Sequence, residues 1–256
     1  MKDQIDWPWR GEGAEATGTM IISHVGRYCF VKTRKTAGTS IEMALAEHLG
    51  PDDWMSPLEE HGPRLRPQAR NFVRLLRQRA PEFGPRNPHL PASVLTDAFA
   101  EDTHGYFTFC VERNPWDKAV SAFFWLASRS RLSAKGDIGR NFLEFTRGPR
   151  LTTFSDFDLY MRGGEQLVDR VLQYDRLEQD LRDVHAHHGV PELDLSAYRL
   201  KGGLRPDQSR QLTCFYGEEF GNEASDRVRT AFAREIERFG YEPPRDARDP
   251  TAQECV

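Results

Sequence analysis

The sequence predicts an α/β fold with a mostly parallel central β-sheet flanked by helices. A strand, a tight loop and a helix follow one another twice, over residues 28–49 and again over 106–126. A third strand followed by a helix falls over 168–184. Strands alternating with helices are the pattern that leads to a parallel sheet. A chain of 256 residues is long enough for one well-buried core.

The elements follow in chain order. Residues 1–19 are polar and contain glycine, and read as a flexible arm. One domain is expected over 20–243, and a flexible tail over 244–256. Apolar residues gather from Met20 and end in Tyr28-Cys29-Phe30-Val31, a β-prone run that fits a buried strand. Ile41, Ala44, Leu45 and Leu49 then recur at helical spacing, and Gly50-Pro51 stops that helix. If 67–79 is helical, Arg70, Arg74 and Arg77 share one face. Such a face is either simply solvated, or it draws an anionic acceptor or closes over a cofactor.

Tyr106 to Val111 is a second buried strand, and Pro115 suits the first turn of the helix behind it. Residues 128–150 read as polar and irregular. Val168 to Tyr174 is a third strand, with Asp175 as cap and Glu178 at the capping-box position of the next helix. Residues 189–206 form a loop, and a last helix over 222–239 closes at Gly240.

Bulk properties exclude several classes. A net charge of −4 gives no sign of a nucleic-acid binder. The four cysteines form no CxxC pair, so there is no zinc or redox signature. Cys29 and Cys110 lie in strand-like runs and read as buried free thiols, which suits a cytoplasmic protein. No signal peptide is expected at the N-terminus, and no apolar run approaches the roughly 18–20 residues that span a bilayer.

Two loops carry chemistry. Thr33 to Ser40 lies between a strand end and a helix start, where unpaired N–H groups and the helix dipole favour an anion. Ala37 and Gly38 leave the backbone open to approach. Thr36, Thr39 and Ser40 supply hydroxyls, and Lys35 a point charge. The Walker A spacing GxxxxGK[ST] is absent, which weakens a P-loop-like nucleotide kinase. In Glu112-Arg113-Asn114-Pro115, Arg113 sits at a strand end, with Ser121 eight residues on in the second turn of a helix. A guanidinium fork and a hydroxyl so placed converge on one phosphate.

At this point the chain resembles the sulfotransferases that use 3′-phosphoadenosine 5′-phosphosulfate (PAPS), in the branch with carbohydrate sulfotransferases and bacterial relatives. Phe30 to Ser40 is similar to their 5′-phosphosulfate loop, and Glu112 to Ser121 to their 3′-phosphate motif. The resemblance runs over about 20–242 and rests on these two motifs. It implies a P-loop-like three-layer fold and transfer of a sulfuryl group from PAPS, with no metal, to a hydroxyl acceptor such as a carbohydrate or an anionic small molecule. Lys35 would stabilise the leaving phosphate, and Arg34 and Thr36 to Ser40 would surround the same group. Arg113 and Ser121 would hold the 3′-phosphate. Tyr174 resembles a tyrosine near the adenine, or is a core residue at a strand end. Lys201, Gly202 and Arg205 resemble a late basic loop that closes over the 3′-phosphate. Two positions depart from the family pattern: Arg34 stands where proline is common, and Lys118 where arginine is frequent. A catalytically silent nucleotide-binding protein is the remaining alternative.

Transfer to a hydroxyl needs a base, and histidine suits that role near neutral pH. Of eight histidines, His89 in Pro88-His89-Leu90-Pro91-Ala92 resembles the family's catalytic histidine in spacing and context. His61, Glu59 and Glu60 stay open as alternatives. Acceptor specificity is expected in the irregular segments 51–105 and 128–165.

Overall fold

A computed structural model of the chain describes residues 20–57, 66–83, 89–129, 131, 132, 134, 136–198, 212–216 and 221–244. The expected N-terminal arm and the tail from residue 245 lie outside these residues.

The order along the chain is β1 (Met20–Ser23), β2 (Tyr28–Val31), α1 (Gly38–Ala46), β3 (Trp54–Met55), α2 (Pro67–Arg79), α3 (Ser93–Ala98), α4 (Ala100–Thr103), β4 (Phe107–Glu112), α5 (Pro115–Ser128) and α6 (Ile138–Arg147). Then come α7 (Phe157–Tyr160), β5 (Met161–Arg162), β6 (Glu165–Gln166), β7 (Arg170–Gln173), α8 (Leu177–His188), α9 (Thr213–Tyr216), α10 (Gly221–Ala231) and α11 (Ala233–Phe239). The class is mixed α/β.

The main sheet has five strands in the order β3-β1-β2-β4-β7. β2 pairs parallel with β4, and β4 parallel with β7. β1 runs antiparallel to both of its neighbours, β2 and β3. The mostly parallel sheet expected from the sequence is therefore a mixed one. The difference lies in residues 20–31. They read as the approach to a single strand, but fold as a hairpin, with Met20 opposite Val31 and Ser23 opposite Tyr28. Asp53 fixes that hairpin's turn from outside by accepting from the backbone N–H of His24 at 2.6 Å.

Period-two alternation divides the strands between two apolar clusters. Ile21, Tyr28, Phe30, Phe109, Val111 and Leu172 pack against Ile41 and Leu45 of α1 and Leu177, Leu181 and Val184 of α8. Ile22, Cys29, Val31 and Cys110 face the other way, against Phe72 and Leu76 of α2 and Val94 and Leu95 of α3. Cys29 and Cys110 are buried free thiols, as expected, and burial pushes both thiols above their ordinary range. A third cluster joins α5 to α6, α9 and α10 through Phe123, Phe142, Phe215 and Val228.

Three further expectations are corrected. Segment 128–150 contains α6, whose N-cap Asp137 accepts from Arg140 N–H. The last helix is two, α10 and α11, divided at Phe232. Asp175 does not cap α8. It lies in a 3-10 turn over Tyr174–Arg176, and α8 has no side-chain cap. Asp180 of α8 instead accepts from Gln173 N–H at 2.7 Å, tying the helix to β7.

Candidate active site

The three parallel strands deliver their carboxyl ends to one place. β2 runs into the loop 32–37, β4 into Arg113, and β7 into Tyr174. Ligands of α/β sheets bind at such ends. A cleft of about 1480 Å³ opens there. It is lined by every described residue assigned to the site from the sequence: Arg34 to Ser40, His89, Arg113, Ser121 and Tyr174. Lys201, Gly202, Arg205, and the alternative bases His61, Glu59 and Glu60, lie outside the described residues.

The β2–α1 loop takes an unusual path. Lys35 and Ala37 both have positive φ, 62° and 61°, although neither is glycine. Non-glycine residues held there carry strain, which concentrates at ligand-binding sites. Ala37 is the N-cap of α1, and no side chain caps the first turn, which also has no acidic residue. By contrast, Asn114 caps α5 by accepting from Trp116 N–H at 3.1 Å. The amino end of α1 thus keeps the electrostatic character that favours an anion.

The hydroxyls of this loop divide differently from expectation. Thr36 is fully buried, and its Oγ1 donates to Thr33 O at 3.1 Å. Thr33 in turn bonds Val111 O, stapling the loop to β4. Ser40 Oγ donates to Tyr198 O at 2.7 Å. The hydroxyls of Thr36 and Ser40 therefore hold the loop's shape, and what Thr36 offers a ligand is its backbone. Gly38 also has a packing role. A Cβ there would stand 2.5 Å from Lys32 Cγ. The space is needed by the Lys32 stem, whose ammonium pairs with Glu42 at 2.6 Å.

Arg113 links the two motifs. It is 8% exposed, and its Nη1 donates to Lys35 O at 2.9 Å. Nε and Nη2 engage Asp117 Oδ2 at 2.7 and 2.6 Å. The guanidinium also lies 4.0 Å from the centre of the Tyr174 ring. Tyr174 is therefore held at the site by a cation–π contact, whatever it offers a ligand. Asp117, Ser121, Trp125 and Arg129 are four apart on α5 and its C-cap, and all four line the cleft. The opposite face, with Trp116, Val120 and Phe123, is buried. Lys35 Nζ lies 5.3 Å from the centre of the Trp125 ring.

Beneath the cleft lies a buried ionic network. Asp156, fully buried, accepts from Arg34 N at 2.7 Å and Arg34 Nη1 at 2.5 Å. It also accepts from Lys118 Nζ at 2.6 Å. Lys118, itself fully buried, donates to Glu112 Oε1 at 2.7 Å. Glu112 further accepts from Arg113 N–H and from Tyr160 Oη, at 2.9 and 3.0 Å. The two positions that depart from the resembled motifs, Arg34 and Lys118, thus meet on Asp156. The Arg34 side chain is engaged there and is not a loose cation beside the loop. Burial pushes the Asp156 carboxyl up, but Lys118 and Arg34 outweigh it and hold the group below the carboxylate range. For Glu112 burial wins over the pull of Lys118, and its carboxyl sits high.

His89 hangs from the same loop. Its Nδ1 lies 3.1 Å from Lys32 O. A carbonyl only accepts, so Nδ1 carries the proton and a neutral ring keeps its lone pair on Nε2. Burial, then the Arg34 charge, push its pKa down to about 3. The ring is neutral at pH 7.

A protein of Archaeoglobus fulgidus, described as uncharacterized, is 31% identical to this chain over 91 residues. The match spans 34% of this chain and 72% of the archaeal protein. The chain belongs to the same family as that archaeal protein. No protein-family model matches the chain, and no solved structure matches it.

Several residues at and beneath the cleft do not follow from the two sequence motifs. Trp125 and Arg129 carried a readable signal, because they continue the four-residue spacing of Asp117 and Ser121 along one helix face. Asp156 carried none, since its partner Arg34 is 122 residues away. Arg70, Arg74 and Arg77 of α2 are exposed and do not line the cleft, so their face is the solvated one. Among the described residues no group of three or more His, Cys, Asp or Glu side chains is placed to hold a metal ion. Among them, too, no helix is long and apolar enough to cross a membrane.

Proposed function

We propose that the chain transfers a sulfuryl group from PAPS to a hydroxyl acceptor and releases 3′,5′-diphosphoadenosine. One observation carries this reading. The two motifs that resemble the 5′-phosphosulfate and 3′-phosphate elements, far apart in sequence, line one cleft and touch through Arg113 Nη1 and Lys35 O. On this reading the β2-β4-β7 half is the parallel centre of a P-loop-like three-layer fold, supported by the apolar clusters on both sheet faces. The buried thiols Cys29 and Cys110 support a cytoplasmic setting.

The residues have separable tasks. Arg113, with Ser121, holds the 3′-phosphate through the N–H groups of its fork that neither Asp117 nor Lys35 O occupies. Lys35 and the uncapped end of α1 stabilise the charge that gathers on the 5′-phosphate oxygen as the bridging S–O bond breaks. His89 takes the acceptor's proton on Nε2 while the new S–O bond forms. At pH 7 it is unprotonated and ready. The negative charge of a bound donor offsets the nearby Arg34 and Lys32 cations and raises the ring's basicity when it is needed.

The test is calorimetric and kinetic. We expect 3′,5′-diphosphoadenosine to bind and to displace ATP, and PAPS to be consumed with at least one glycan, phenol or lipid alcohol. Lys35→Ala serves as the inactive control. Failure of the bisphosphate to bind, or preference for ATP, overturns the reading.

A further inference from the structure

The cleft continues past Lys35. Trp125, one turn beyond Ser121 on α5, lies partly buried beneath the Lys35 ammonium. Its ring meets that of the buried Phe154 edge-on, with centroids 6.2 Å apart, which fixes its orientation. Arg129, a further turn along, lies with its guanidinium carbon 4.8 Å from the same ring centre. Lys35 Nζ and the Arg129 guanidinium therefore lie within about 10 Å of each other across one indole. Arg131 and Arg150 line the same end, and Arg150 Nη1 reaches Arg131 O at 3.3 Å.

Charge balance at this end of the cleft favours an anion. Several exposed arginines elsewhere are neutralised: Arg147 by Glu144 and Glu223, Arg162 by Asp97, and Arg234 by Asp158. Among the described residues, neither Arg129 nor Arg150 has a carboxylate partner. The carboxylates lining the cleft are Asp117, held by Arg113, and others at 175–178 and 192–194. None comes from the last turn of α5 or from 150–154. An unneutralised guanidinium and an ammonium held over one indole, with Arg150 lining the same end, suit an acceptor that carries a fixed negative charge.

We propose that this end is the acceptor subsite, and that it selects a ring-bearing acceptor with an anionic group about one ring's width from the reacting hydroxyl. A uronic acid fits that description. Trp125 holds the Lys35 ammonium and the Arg129 guanidinium in place, Arg129 and Arg150 take the carboxylate, and the hydroxyl is left beside Lys35. This inference rests on the sulfuryl-transfer reading for which end of the cleft receives the acceptor.

The probes are 4-nitrophenyl β-glucuronide and 4-nitrophenyl β-glucoside, which differ only in a carboxylate. Each is titrated calorimetrically into the full chain saturated with 3′,5′-diphosphoadenosine. We expect the glucuronide to bind at least about tenfold more tightly at low salt, and the gap to narrow as ionic strength rises. In Arg129→Gln/Arg150→Gln the preference disappears while nucleotide affinity stays that of the parent, which also reports a folded protein. Equal affinities, no binding of the glucuronide, or a preference that survives the double substitution overturns the subsite. If the nucleotide itself does not bind, the sulfuryl-transfer reading fails, and the same titrations without nucleotide still decide the anionic subsite by the same criteria.

Discussion

Arg113 Nη1 donates to Lys35 O at 2.9 Å, so the residue proposed to hold the 3′-phosphate also fixes the backbone of the lysine proposed to serve the 5′-phosphosulfate. Lys35 sits at positive φ, and this bond is one of the contacts that keep it there. On the proposed function, nucleotide affinity and turnover are expected to be coupled at this one guanidinium.

Arg113→Lys keeps the charge and loses the fork. Hydrogen bonds to charged groups contribute about 1.5–3 kcal/mol, so affinity for 3′,5′-diphosphoadenosine is expected to fall about 10- to 100-fold by calorimetry. kcat should fall as well, because the Lys35 carbonyl loses its anchor. A fall in affinity with unchanged kcat would separate the two roles and refute the coupling.

Lys35→Ala removes the cation without touching Arg113 or Ser121. We expect kcat to drop by about 100- to 1000-fold, the usual scale for loss of one preorganised stabilising group. Affinity for the desulfated nucleotide should change far less. Turnover within a few-fold of the parent would remove Lys35 from the transfer step.

Lys118→Met leaves Glu112 and Asp156 buried with their shared cation gone. Breaking a buried pair in this way costs about 3–5 kcal/mol, measurable by urea denaturation at pH 7. Lys118→Arg should lose less, since a charge remains. A neutral effect of Lys118→Met would mean that the network does not hold the two motifs together.

His89 gives a pH signature. Its folded pKa, about 3, lies below the ordinary value of 6.5. Between these values the unfolded chain binds the proton more readily, so stability rises with pH across that window and is lost as pH falls toward 3. His89→Gln should flatten that slope and lower kcat. The acid limb of kcat/KM, which reports the free enzyme, should lie below 6.5 in the parent. A limb at the ordinary histidine value would argue against His89 as the base.

What the sequence made legible was local. Strand, loop and helix follow one another over residues 28–46 around Lys35 and 107–128 around Arg113, and apolar spacing marks each element. The antiparallel partner of β2 was legible in principle, because His24-Val25-Gly26-Arg27 interrupts the apolar residues between Met20–Ser23 and Tyr28–Val31 as a hairpin turn does. α6 escaped because its core residues Phe142, Leu143 and Phe145 stand in a polar setting. The hydroxyls of Thr36 and Ser40 look alike in sequence to any that face a ligand, and only Thr33 O and Tyr198 O show where they point. Asp156 belongs to a pairing that spans half the chain and leaves no local trace.

α5 works as a ruler. From Asp117 to Arg129 its cleft face advances about 18 Å at 1.5 Å per residue. The interval between the proposed grip on a 3′-phosphate and the proposed grip on the acceptor's charge is thus set by one stiff rod, not by loops. Inserting one residue between Ser121 and Trp125 would swing the acceptor end by about 100°, out of the cleft, whereas exchanging side chains in the last turn alone leaves the spacing intact. Acceptor preference is therefore open to change by substitution, and closed to change by insertion, along this helix.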